Sequence, residues 1–251
     1  MEFLMGKVSL ISLLLVFLAG NGASATVFTL FNNCNHTIWP ATLCGNGMNT
    51  LGDGGFVLTP GVSVPLPAPA GWSGRFWART GCNFDDNGNG VCATGDCGAV
   101  LRCTGGGATP SSLAEFTLGT AGTPNDKDFY DVSLVDGYNV GVGISSSGGT
   151  GDCRYAGCIS DVNASCPAEL QVVVDGTVVA CKSACGAFNT EEYCCNGAHA
   201  TPGTCGPTGY SNMFKSACPS AYSYAYDDAS STFTCSAGSD YLITFCPTAS
   251  P

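Results

Sequence analysis

The sequence predicts a mainly β fold, a sandwich or barrel built from short strands. Three observations point there. Short segments rich in β-branched and aromatic residues recur between polar or glycine-rich turns. Glycine and proline, 35 and 13 of 251 residues, punctuate the chain throughout. Seventeen cysteines stand behind an N-terminal export segment, and in an oxidising compartment they become a disulfide framework for many small elements.

The export segment comes first. Lys7 precedes an apolar run from Val8 to Ala19, and Ala23-Ser24-Ala25 offers the small residues a signal peptidase accepts, so cleavage is expected near Ala25. The run is too short and wrongly flanked for a bilayer span, and no later segment replaces it. A secreted product with no stable membrane anchor is expected. Residues 26–31 and 37–43 read as strands around the polar turn Asn32-Asn33-Cys34-Asn35. Turn residues 52–55 and the apolar Phe56-Val57-Leu58 lead into the proline-punctuated 60–69, which suits an edge strand. Residues 74–79 alternate, with Phe76 and Ala78 on one face and Arg75, Trp77 and Arg79 on the other. The stretch 88–103 packs Cys92, Cys97 and Cys103 among glycines; such a ladder suits a disulfide knot or a zinc knot, and the oxidising route favours the disulfides.

Residues 114–118 and 129–142 have strand character. Beyond Asp152 the cysteines crowd together, and the helix candidates, 183–188 and 211–217, are short. A third would be capped by Asn189 or Thr190 ahead of Glu191-Glu192. Helices of this length need cross-links, worth about 2–4 kcal/mol each. A strand at 241–245 closes the chain just before Cys246.

Charge narrows the function. Beyond the export segment seven cations face eighteen carboxylates, so the net charge stays at −11. Nucleic acid and anionic lipid select for clustered Lys and Arg, which this chain lacks; a neutral polysaccharide is not penalised. Two histidines, His36 and His199, leave a serine triad without a convincing base. With the cysteines paired, no metal cage or cofactor is expected. Asn35-His36-Thr37 and Asn163-Ala164-Ser165 are glycosylation sequons.

The stretch 88–103, Phe76-Trp77-Ala78-Arg79-Thr80-Gly81-Cys82, Leu113-Ala114-Glu115-Phe116, residues 131–137, Tyr193-Cys194-Cys195 and Cys218-Pro219 together resemble the acidic, large thaumatin-like proteins, the fifth class of plant pathogenesis-related proteins. The resemblance spans residues 26–251. It implies a β-sandwich core from about residues 26–79, 111–159 and 219–251, with disulfide-rich helical and loop satellites at about 80–110 and 160–218. It also implies eight bridges: Cys34 with Cys246, Cys82 with Cys92, Cys97 with Cys103, Cys153 with Cys235, Cys158 with Cys218, Cys166 with Cys181, Cys185 with Cys194, and Cys195 with Cys205. Cys44 is left over, as a buried thiol acting as a small apolar residue or as the donor of an intermolecular bridge; the first reading is preferred, and a monomer is expected. Ala99 stands where the family signature has glycine.

The resemblance further implies an acidic cleft lined by Arg75, Glu115, Asp131, Asp136 and Asp227, with Asp228 a substitute for the last. Asp131 and Asp136 would face opposite sides of one regular strand, so both reach a cleft only if the chain turns at Asp136-Gly137. Grouped carboxylates accept hydrogen bonds from sugar hydroxyls, and their crowding raises the pKa of one until it acts as an acid. Arg75 could hold them by bidentate hydrogen bonds. Phe129, Tyr130, Tyr224 and Tyr226 are candidates for stacking on sugar rings, each weighed against ordinary core packing. The expected function is a secreted, apoplastic plant defence protein whose cleft binds fungal wall β-1,3-glucan, with antifungal activity. Weak endo-β-1,3-glucanase action would use Glu115 as acid and Asp131 or Asp136 as its partner. The alternative is an inhibitor of foreign hydrolases, a protease, amylase or xylanase.

Overall fold

The computed structural model describes residues 26–248; the expected export segment and its cleavage point lie outside them. Strands β1 (Thr26–Asn32), β2 (Trp39–Cys44), β3 (Ser63–Ala68) and β4 (Ser73–Arg79) come first, followed by the two-residue pair β5 (Asn83–Phe84) and β6 (Gly90–Val91) in the cysteine loop. Then come β7 (Leu113–Thr117), β8 (Lys127–Ser133), β9 (Val142–Ser147) and β10 (Ala156–Gly157), and a hairpin of β11 (Gln171–Val174) and β12 (Thr177–Cys181). Helices α1 (Ala184–Phe188), α2 (Glu191–Cys194), α3 (Gly209–Ala217) and α4 (Asp228–Ser231) precede β13 (Phe233–Ser236) and β14 (Asp240–Phe245).

Two five-stranded sheets form the sandwich, in the orders β10-β9-β14-β1-β3 and β13-β8-β7-β4-β2. Alternation decides which side chains fill it. Phe28 and Leu30 of β1 and Tyr241, Ile243 and Phe245 of β14 point inward from the first sheet. Phe76, Ala114, Phe116, Tyr130 and Val132 meet them from the second. Phe28 sits at the centre, its ring 4.6 Å from that of Phe116 and 4.9 Å from that of Phe76. The proline-rich segment forms β3, an edge strand bonded to β1 alone, as residues lacking N–H donors require. Of Phe56-Val57-Leu58, Leu58 makes an isolated bridge to Ile38.

The strand expected over 129–142 is two strands. β8 ends at Ser133, and the chain turns through Gly137 at φ 91° before β9 begins. A side chain at Gly137 would press on Pro110 and on the Cys181 carbonyl, so the turn is both left-handed and tightly covered.

Short helices form where caps and sulfurs hold them. Ser183, Thr190 and Thr208 each accept a backbone N–H of the first turn of α1, α2 and α3, and Thr208 and Ser211 complete a reciprocal box. The bridges join Cys34–Cys246, Cys82–Cys92, Cys97–Cys103, Cys153–Cys235, Cys158–Cys218, Cys166–Cys181, Cys185–Cys194 and Cys195–Cys205. Cys44 is free and half-buried, packed against the edge of the core.

The cysteine loop is fastened to the outward face of the second sheet. Trp77 donates its indole N–H to the Gly95 carbonyl at 2.9 Å. Arg79, fully buried, donates to the carbonyls of Trp39, Val100 and Leu101 at 2.7–3.1 Å. Arg79 therefore serves the fold, although it shares a strand face with Arg75.

Candidate functional site

The floor of the candidate site is the part of that outward sheet face which the cysteine loop leaves uncovered. Antiparallel register sets Arg75 of β4 opposite Glu115 of β7, and Glu115 opposite Asp131 of β8. Directly opposed residues lie on the same face with Cβ atoms about 4.5–5.5 Å apart, so the three form one straight row. The neighbouring row, two residues along each strand, is Ser73, Thr117 and Phe129, with the Ser73 and Thr117 hydroxyls 3.3 Å apart.

Two cavities, each of about 420 Å³, meet at the Arg75–Glu115–Asp131 row and share those three residues. One extends over Ser73, Thr117, Phe129 and Cys44; Phe129 is 48% exposed there. The other extends over Ser133, Asp136 and Tyr222. The turn through Gly137 is what carries Asp136 round to the side of the sheet that Asp131 faces. Together the cavities make a cleft with a charged middle, an aromatic and hydroxylated arm, and an acidic arm.

The electrostatics of the row are uneven. Asp131 Oδ1 is sealed from solvent with no hydrogen-bond partner. An ionised carboxylate pays heavily for a dry, unpaired oxygen. Burial above all, then the charges of Glu115 and Asp228, push the Asp131 carboxyl up to about 8. Glu115 is also raised, by burial, with Arg75 opposing the shift and Asp136 adding to it. Glu115, expected as the acid, and Asp131, expected as its partner, therefore stand side by side, and Arg75 favours the charged form of Glu115. Arg75 does this at a distance. Among the described residues no carboxylate lies within 4.0 Å of it, so the expected bidentate clamp is absent.

The fifth expected residue is elsewhere. Asp227 lines neither arm of the cleft. Its carboxylate accepts hydrogen bonds from Lys215 Nζ and the Ser223 hydroxyl at 2.9 Å and from the Ser230 hydroxyl at 2.8 Å. Burial works to raise its pKa, but these donors outweigh it and hold the group below its ordinary value. Asp228, the substitute, is closer to the chemistry: its Oδ1 accepts from the Tyr222 hydroxyl at 2.8 Å, and its charge is felt by Asp131.

The stacking candidates separate in the same way. Tyr130 is 1% exposed in the core, because it alternates with Phe129 and Asp131 on β8. Tyr226 ties its hydroxyl to the Ala200 carbonyl, and Tyr224 borders a smaller cavity beside the helical satellite. Phe129 alone among the four lies on the cleft floor. Tyr222, which lines the acidic arm, was not singled out from sequence. Cys44 was passed over as a core thiol, yet it stands in the wall of the aromatic arm. Of the sequon asparagines, Asn35 is exposed. Asn163 is half-buried and donates its amide N–H to the Asn139 carbonyl at 3.1 Å. Among the described residues no helix is long and apolar enough to cross a membrane.

Residues 32–247 match the profile of the Thaumatin family. The chain is 64% identical over 246 residues to Pathogenesis-related protein 5 of Arabidopsis thaliana, covering 97% of this chain and 100% of that one. It is 50% identical over 243 residues to a protein of Prunus avium named glucan endo-1,3-beta-glucosidase, covering 96% and 98%. A β-1,3-glucanase domain from Clostridium beijerinckii superposes with a TM-score of 0.53 at 12% identity, over 88% of this chain and 98% of that domain, a likeness of fold.

Proposed function

This chain belongs to the thaumatin family, and from that premise we propose that it is a secreted plant defence protein whose acidic cleft binds β-1,3-glucan of fungal walls. The observation that carries the reading is the row Arg75–Glu115–Asp131 across three paired strands, with Phe129 on one side and Asp136 and Tyr222 on the other. A neutral sugar chain suits it. Glu115 and Asp136 offer carboxyl oxygens that accept hydrogen bonds from hydroxyls, a protonated Asp131 donates one, and Phe129 offers an apolar face to a ring's C–H groups. The relative from Prunus avium named as a glucanase supports glucan as the ligand.

The same row supplies the parts of a slow glycoside hydrolase. One of the paired carboxyls, Asp131 or Glu115, protonates the departing glycosidic oxygen while the other, as carboxylate, acts on water or on the sugar carbon; water adds across the broken C–O bond, leaving a new reducing end and a free hydroxyl. Binding is the primary role and turnover the secondary one, because the carboxyls share one wall instead of enclosing the bond.

The test is incubation of the protein and its Asp131→Asn and Glu115→Gln variants with insoluble β-1,3-glucan, measuring loss from solution and released reducing ends. Retention of the wild type with at least tenfold weaker retention of both variants is expected, with any reducing ends coming from the wild type alone. Absence of wild-type retention would overturn the reading and favour the hydrolase inhibitor.

A further inference from the structure

We propose that the glucan track continues beyond the carboxylate row onto the helical satellite, where Phe188, Tyr193 and Tyr210 form a second contact for the same neutral polysaccharide chain. This rests on the glucan reading of the cleft and extends it to a surface outside the row.

The acidic arm of the cleft does not end blindly. Val135 and Ala225 in its wall also border a third, narrow cavity of about 50 Å³, whose far side includes Tyr193 and Tyr224. That cavity is too small for a sugar ring, so a chain crosses its mouth and meets the satellite surface. Tyr193 belongs to both places. Its ring lies 5.6 Å from that of Phe188 and 5.8 Å from that of Tyr210, and Phe188 and Tyr210 are 5.3 Å apart.

The three rings come from different elements, α1, α2 and α3. They are held in place by the Cys185–Cys194 and Cys195–Cys205 bridges, so little entropy is lost when a ligand settles on them. Phe188 is 38% exposed, and the Tyr210 hydroxyl donates to Glu169 at 2.9 Å. The exposed ring of Phe188, with the half-buried rings of Tyr193 and Tyr210 beside it and hydroxyl and carboxylate groups at the rim, fits the alternating C–H and O–H surface of a sugar. The charge excludes other chains: residues 160–218 hold Lys182 and Lys215 against Asp161, Glu169, Asp175, Glu191 and Glu192, and one of those lysines is already paired with Asp227. Anionic polysaccharide and nucleic acid would be repelled.

Two ligand lengths separate this contact from the cleft. Wild type, Phe188→Ala and Phe188→Leu are titrated with a β-1,3-linked trisaccharide and assayed for retention on insoluble β-1,3-glucan. Both variants are expected to bind the trisaccharide as the wild type does and to be retained about three- to tenfold less well, the scale of one aromatic contact. The leucine variant keeps an apolar side chain in the cluster, so its loss reports the ring face instead of a collapsed satellite. Unchanged retention of both variants, or equal weakening for both ligands, would overturn the satellite contact while leaving the cleft intact. A wild type that binds neither ligand removes both.

Discussion

Burial sets the character of Asp131. Its carboxyl is raised to about 8 in the fold from 3.8 for the free group, mainly by burial. Between those values the folded protein binds more protons than the unfolded chain, so stability falls as pH rises through the window. Thermal melts at about pH 5 and about pH 8 should show a larger loss for the wild type than for Asp131→Asn, which cannot ionise; equal losses would contradict the assignment. Ala99 is a second strained residue, at φ 61°. A Cβ in the left-handed region costs about 1–2 kcal/mol, part of which glycine forfeits through unfolded-state entropy. Ala99→Gly should therefore stabilise the protein by about 0.5–1 kcal/mol in denaturant titrations, with glucan retention unchanged. At this scale the residue types of the cleft were legible: Arg75, Glu115, Asp131 and Asp136 all line it. Asp227 was not, because what removes it from the cleft is a hydrogen bond from Lys215, twelve residues away in sequence and on another element.

Elements position those residues, and two lessons concern where strands end. The stretch 129–142 reads as one strand from its aromatic and β-branched content, but Asp136-Gly137 is a turn signal inside it, and the turn wins because the Gly137 position admits no side chain. The hairpin of β11 and β12 went unread although Asp175-Gly176 lies at its tip, with φ 48° and 76°; positive φ at both central residues is the two-residue hairpin signature. Of the helices, the one at Glu191–Cys194 was visible through its cap, 183–188 and 211–217 were expected without theirs, and Asp228–Ser231 went unread. The cysteine loop is held to its sheet by Arg79, whose guanidinium donates to three carbonyls. Arg79→Met should leave those acceptors unpaired and cost about 3 kcal/mol. Limited proteolysis would then cut first within residues 80–110, whereas cleavage no faster than in the wild type would show that the bridges alone hold the loop.

For the whole molecule, the decisive relation is register. Arg75, Glu115 and Asp131 lie 40 and 16 residues apart in sequence, and only the pairing of β4 with β7 and of β7 with β8 puts them in one row. Pattern within a strand shows which face a residue takes; it does not show which residue stands opposite. The long-range closure of the molecule has the same character, with β1 parallel to β14 and Cys34 bridged to Cys246 across 212 residues. On the proposed reading this closed scaffold presents the row as a glucan-binding floor. A crystal structure of the protein saturated with a β-1,3-linked hexasaccharide tests it most directly. Sugar rings are expected to lie across Glu115 and Asp131, with one ring over Phe129 and the chain leaving past Tyr222; a hexasaccharide seated away from that row, with the cleft empty at saturation, would overturn the glucan-binding floor.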